Sequence, residues 1–147
     1  MPKFLAQFLL IIALAIPAAA SAKDVSDQAL KMVNQIRADQ GRKPLSVSPK
    51  LARAADAHAR DMAARNRFSH TGSDGSTLGK RVKRQGYGFC HVAENIAMGQ
   101  RDIRAAMVEW MNSPGHRKNI LSREPTQFGL ARSAGNRWVM VLGREGC

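Results

Sequence analysis

The residues best suited to chemistry are His70, Glu94 and His116. His70 sits in a loop just past a helical pattern, in "FSH". Glu94 lies in "AENIA", and His116 follows Pro114-Gly115 in "WMNSPGHRKNIL". Two imidazoles and one carboxylate from three separate segments can converge on a cleft. Two His and one Glu can bind zinc and leave a fourth position open. The same set can move protons, with Glu94 fixing a histidine tautomer. The spacings are long and match no compact metal motif such as H-E-x-x-H. His116 falls in the first turn of a helix, where the dipole disfavours imidazolium and keeps the ring neutral. A neutral ring is the form that ligates metal or accepts a proton.

The other histidines read differently. His58 shares an apolar helical face with Leu51, Ala55 and Met62, so a hydrogen-bonded core residue is expected. His91 follows Cys90 in an extended segment and is expected to face solvent. Neighbours on a strand point to opposite faces, which disfavours a Cys90–His91 nucleophile pair. No Gly-x-Ser-x-Gly elbow supports a serine hydrolase.

The start of the chain, "MPKFLAQFLLIIALAIPAAASA", has Lys3, an apolar run from Phe8 to Ile16, Pro17 and small residues at its end. This pattern predicts a secretory signal peptide over residues 1–22, cleaved after Ala22, and a secreted or periplasmic protein. An uncleaved anchor is the competing reading, but the apolar run is short for a span. Cleavage would leave a single domain over residues 23–147, with no further apolar stretch long enough to cross a bilayer.

The formal net charge is +12, of which the leader holds only Lys3, leaving +11. Outside the cytosol, such charge favours anionic lipid, glycan or cell-wall polymers over nucleic acid, or simply keeps the domain soluble. Scarce aromatics, not interleaved with the basic runs, argue against nucleic-acid stacking. Lys80, Arg81, Lys83 and Arg84 read as a solvated helix face, or as part of an anion-binding rim with Arg101, Arg104, Arg117, Lys118 and Arg123. Cys90 and Cys147 are the two cysteines, and in an oxidising compartment they are expected to bridge, within one chain or between chains.

The elements that must position these residues follow from periodicity. Asp24–Gln40 reads as a helix stopped by Gly41, and "RKPLSVS" as an extended link. Ser48-Pro49 opens a second helix that runs to about Arg65-Asn66. Ser76 or Thr77 starts a short basic helix closed by Gly86. "YGFCHVAENIAMG" reads as a strand or extended segment. Arg101–Met111 is helical, and Ser113-Pro114 repeats the cap-plus-proline signal before a short helix over Gly115–Leu121. "QFGLARS" and "RWVMVLG" around "AGN" read as a β-hairpin. Segregated helices and strands predict an α+β fold.

Several segments in fixed order carry a resemblance: "VNQIRADQGRKPL", "HARDMAARNRFSH", "AENIA", "WMNSPGHRKNIL" and "FGLA". From about Asp27 to Leu142 the chain resembles the CAP superfamily of cysteine-rich secretory proteins, antigen 5 and pathogenesis-related proteins. It is most similar to short bacterial SCP-like extracellular proteins. The resemblance implies an α-β-α sandwich with a small antiparallel sheet between helical layers. It also implies a central cleft with two histidines and two acids, metal-binding in some members. By motif, His70 and His116 match the histidines and Glu94 the first acid. The second acid follows the tryptophan in many members; here Trp110 is followed by Met111, Asn112 and Ser113, and Glu109 points elsewhere.

Three functions are expected to compete. The first is a non-enzymatic binder of lipid or anionic envelope components. The second is a hydrolase using a divalent metal such as zinc at His70 and His116. The third is a purely structural His/Glu network.

Overall fold

The structure is a computed structural model that describes residues 22–146. The signal-peptide reading rests on residues 1–22, of which all but Ala22 lie outside that range. So does Cys147, and with it the Cys90–Cys147 pairing. No helix among the described residues is long and apolar enough to cross a membrane.

Five helices and four strands follow one another as α1 (Ala22–Ala38), β1 (Ser46–Val47), α2 (Pro49–Ala64), α3 (Leu78–Arg84), β2 (Phe89–Met98), α4 (Ile103–Asn112), α5 (Pro114–Leu121), β3 (Gln127–Ser133) and β4 (Arg137–Glu145). The strands form one sheet in the order β1-β3-β4-β2. The hairpin turns through Gly135 and Asn136, both at positive φ, as a tight turn between twisted strands requires.

The centre of the fold is β4. Its run "WVMVL" is buried on both faces, because helices cover the sheet on each side. Trp138, Met140 and Leu142 pack with Ala29 and Val33 of α1, Met107 and Trp110 of α4 and Ile120 of α5. Val139 and Val141 face the other way, onto Leu51, Ala55 and Met62 of α2 and Val82 of α3. Three layers result, α1/α4/α5, sheet, α2/α3, as the resemblance implied.

Two local expectations change. The "LSVS" link contributes β1, which pairs parallel with β3 (Ser46 with Gln127, Val47 with Phe128), so the sheet is mixed at one edge. Two residues are too short a run to show alternation. Ser113 does precede α5, but its side chain makes no capping hydrogen bond. It also ends α4, and its extended backbone serves the joint between the two helices. Ser48, Thr77 and Asp102 do cap α2, α3 and α4 through their side chains.

Candidate functional site

The site is built around Glu94 on β2, the edge strand of the sheet. Cross-strand pairing sets the faces: Glu94 lies beside Val141, toward α2 and α3, and Asn95 beside Met140, toward α4 and α5. Consecutive residues of one strand therefore serve opposite layers.

On the α2/α3 side, Glu94 is almost fully buried, with 3% of its side chain exposed. Arg81 Nη2 donates to its Oε2 at 2.7 Å, and His70 Nδ1 donates to its Oε1 at 2.8 Å. Arg81 Nη1 also donates to the carbonyls of His70 and Ser76, at 2.9 and 3.1 Å. One guanidinium thus ties the carboxylate to the loop that carries His70. His58 of α2 lies 3.9 Å from Glu94 Oε1, and its Nε2 donates to the Ser69 carbonyl at 2.8 Å. That bond fixes the Nε2–H tautomer and leaves Nδ1 buried without a partner.

Electrostatics follow from this packing. Burial alone would raise the Glu94 carboxyl, but the His70 hydrogen bond and the charges of Arg81 and His58 outweigh it and hold the group below its ordinary value. Burial lowers the His58 imidazole; Arg81 adds to this, and Glu94 and Asp61 oppose it. Both shifts have the same consequence. The unfolded chain protonates first, His58 from about pH 6.5 downward and Glu94 from about pH 4.3. Stability present above those values is lost as pH falls. The thermal midpoint is therefore expected to drop between pH 7 and pH 5, and to drop less steeply in His58→Asn. Equal slopes in scanning calorimetry would remove His58 as a source.

On the other face, Asn95 is fully buried and its Nδ2 donates to the His116 carbonyl at 3.1 Å. Asn119 Nδ2 donates back to Asn95 Oδ1 at 2.8 Å. These bonds lock the first turns of α5 against β2. The His116 ring is half-buried, with Nδ1 lacking a partner. Burial lowers its pKa, the nearby His70 charge lowers it further, and Glu109 opposes both. His116 and His70 thus approach around the edge of the sheet from opposite layers. Of the three expected site residues, His70 and Glu94 are in direct contact; His116 is hydrogen-bonded through its side chain to neither.

Several expectations are corrected or extended. Arg81 is buried, not part of a solvated basic face. Leu78, Arg81 and Val82 fall at i, i+3 and i+4, the spacing of an inward stripe, and that signal marks it. His91 does not face solvent: it is half-buried and its Nε2 has no partner. It shares the face of β2 that packs on the α4/α5 layer. His58 is a hydrogen-bonded core residue as expected, and it also borders Glu94. Asn95 belongs to the site; nothing in its type alone separates it from the Asn of an ordinary strand.

A metal is tested by these donors. Among the described residues, no group of three or more His, Cys, Asp or Glu side chains is arranged to hold one. Both Glu94 oxygens are engaged, one of them by a guanidinium. His70, with 58% of its side chain exposed, keeps Nε2 available, and His116 keeps Nδ1. Two imidazoles remain, one ligand short of a catalytic zinc site. Glu109, beside Trp110, is exposed and accepts from Gln100.

The chain can now be compared with known proteins. The profile of the cysteine-rich secretory protein family, CAP, matches residues 30–142. The uncharacterized protein YkwD of Bacillus subtilis is 34% identical over 111 residues, 75% of this chain and 43% of that protein. The uncharacterized membrane protein YlbC of the same organism is 35% identical over 103 residues, 70% of this chain and 30% of that protein. The chain spans less than half the length of either relative. An extracellular protein containing an SCP domain from Bacillus anthracis superposes with a TM-score of 0.78 and 30% identity, over 87% of this chain and 45% of that one. An outer surface protein of Borrelia burgdorferi reaches a TM-score of 0.80 at 18% identity, over 86% and 97% of the two chains, a likeness of fold alone. Motif order, layered fold and family profile agree: the chain belongs to the cysteine-rich secretory protein (CAP) family.

Proposed function

We propose that this is a secreted or periplasmic, non-enzymatic binding domain that holds an anionic lipid or other anionic envelope component at the His70–His116 edge of its sheet. The observation that carries this reading is the commitment of Glu94. Its two oxygens accept from Arg81 and His70, and its pKa lies below the ordinary carboxylate value. A general base needs a carboxylate free to take a proton near neutral pH, and this one is paired, buried and ionised. The network instead fixes the loop that presents His70. Phe68, two residues earlier, is 48% exposed, so an apolar ring and a cationic surface are offered together. The charge of +11 beyond residue 22, the signal pattern and the extracellular description of the Bacillus anthracis relative favour an envelope ligand.

Phosphatidylglycerol vesicles are expected to bind the mature protein more tightly than phosphatidylcholine vesicles, and Phe68→Ala/His70→Ala is expected to weaken that binding. Absence of binding to both vesicle types and to purified cell-wall polymer overturns the proposal. A metal-dependent hydrolase on the same residues is favoured by one observation, the two imidazole nitrogens left without partners. Calorimetric titration with zinc decides it: the binder reading expects negligible heat in wild type and in His70→Ala/His116→Ala alike. Site-dependent heat, with hydrolysis that the double substitution abolishes, would replace it with the hydrolase.

A further inference from the structure

A second cationic feature lies at the other end of α5 from His116. A cavity of about 320 Å³ is lined by Arg37, Gly41, Arg42, Lys43 and Arg123. Four of these five residues are cations and none is an acid. Some basic side chains elsewhere find carboxylates: Lys50 with Glu145, Arg60 with Asp56, Arg84 with Asp74, Arg144 with Glu124. Among the described residues, no carboxylate pairs with Arg37, Arg42, Lys43 or Arg123. The acids nearest in sequence are engaged, Glu124 with Arg144 and Asp39 with Gln35.

The cations are held in place by backbone. Arg37, only 1% exposed, donates through Nε to the Lys43 carbonyl at 2.7 Å and through Nη1 to the Ile120 and Ser122 carbonyls at 2.6 and 2.9 Å. Arg42 Nε donates to the Leu121 carbonyl at 2.8 Å. Gly41, at φ +61°, turns the chain so that Arg42 and Lys43 come back beside Arg37. These bonds satisfy the last carbonyls of α5, the usual role of cations at a helix C-terminus. That role accounts for Arg37 and for one nitrogen of Arg42. It does not account for Lys43 and Arg123, whose exposed side chains join the same cavity.

We propose that this pocket is an anion site for a phosphate group, carried as a monoester or diester. Arg37 and Arg42 form its fixed base, and Lys43 and Arg123 close on the ligand from the rim. Arg42 keeps its Nη groups beyond the bond to Leu121, Arg123 brings a whole guanidinium fork to the phosphate oxygens, and Lys43 adds a point charge. The like charges repel one another in the free protein, and the negative charge of a phosphate mono- or diester relieves that repulsion. Burial and the charge of Arg42 both disfavour the protonated Arg37, which is consistent with such crowding. The site stands apart from the His70–His116 edge: along α5, His116 and Leu121 are five residues or about 8 Å apart.

Titration calorimetry with inorganic phosphate at low ionic strength tests it. Wild type is expected to bind one phosphate saturably. Lys43→Ala/Arg123→Ala, which leaves the α5 caps intact, is expected to weaken binding at least tenfold with an unchanged thermal midpoint. Lys80→Ala/Lys83→Ala removes the same charge from α3 and is expected to leave binding unchanged. No saturable heat in wild type, full affinity in the rim variant, or equal loss in the α3 variant overturns the proposal. Phosphatidylglycerol vesicles identify the source. If the rim variant also loses vesicle binding, a lipid headgroup supplies the phosphate; if it loses only free phosphate, a soluble or polymeric ester does. Phe68→Ala/His70→Ala is expected to keep phosphate binding, so this inference and the proposed cleft function fail separately.

Discussion

Replacing Arg81 with methionine is expected to destabilise the domain by about 3–5 kcal/mol, the usual cost of leaving a buried charge without its partner. Methionine keeps most of the volume and removes every donor. Glu94 then loses its hydrogen bond to Nη2, and the carbonyls of His70 and Ser76 lose their bonds to Nη1. The remaining partner, His70, is largely exposed and cannot compensate a carboxylate that is 97% buried. Urea unfolding at pH 7 measures the loss. Arg81→Met/Glu94→Gln is expected to recover a large part of it, because the second change removes the stranded charge. A single variant within about 1 kcal/mol of wild type would show that the pair is not a buried pair in solution.

Gly129→Ala is expected to cost about 3 kcal/mol or more, at the upper end of overpacking changes. A Cβ built on Gly129 would lie 2.1 Å from the Ala52 backbone nitrogen and 2.3 Å from the Leu51 carbonyl carbon. Both are main-chain atoms of α2, so no rotamer change can make room. The helix would have to move off the sheet, and the Leu51–Val139–Val141 cluster would open with it. Gly88→Ala is the control: nothing lies within 4 Å of its added Cβ, and its φ is not positive. It is expected to be neutral or slightly stabilising by unfolded-state entropy. If both substitutions have the same small effect, α2 does not sit directly on β3.

Much of this fold was legible because its signals are local. Ser48-Pro49, the Gly41 stop and the Ala134–Asn136 turn each announce an element end by backbone chemistry alone. β1 was not legible, since two paired residues carry no period. The contact that excludes any side chain at Gly129 has a weak local signal, a glycine inside a strand pattern. Its partner, the backbone of α2, is visible only in three dimensions. The site divides the same way. His70, Glu94 and His116 stand out by type and by motif order. Arg81 was hidden among four cations on a short helix, and its inward face is apparent only from its spacing to Leu78 and Val82. His58 was assigned correctly to the core, but burial says nothing of which carboxylate lies beside it. His91 misled because a histidine in an extended segment carries no signal for which face it takes; it lies on the α4/α5 face and is half-buried there.

The two-sided burial of β4 has a consequence for how its position in the fold is encoded. In a half-exposed strand, polarity fixes the register: a slip by one residue puts apolar groups in water. Along Trp138–Leu142 polarity carries no such information, because both faces are dry. Volume carries it instead. The α1/α4/α5 side receives Trp, Met and Leu, and the α2/α3 side receives only valines. A one-residue insertion in the 134–136 turn would leave every apolar residue buried, yet it would press tryptophan into a layer shaped for valine and leave valine-sized filling where tryptophan belongs. The strand is thus aligned by size, together with the Trp138 Nε1–H bond to the Gln100 carbonyl, a ruler whose marks composition-based scores of hydrophobicity cannot read.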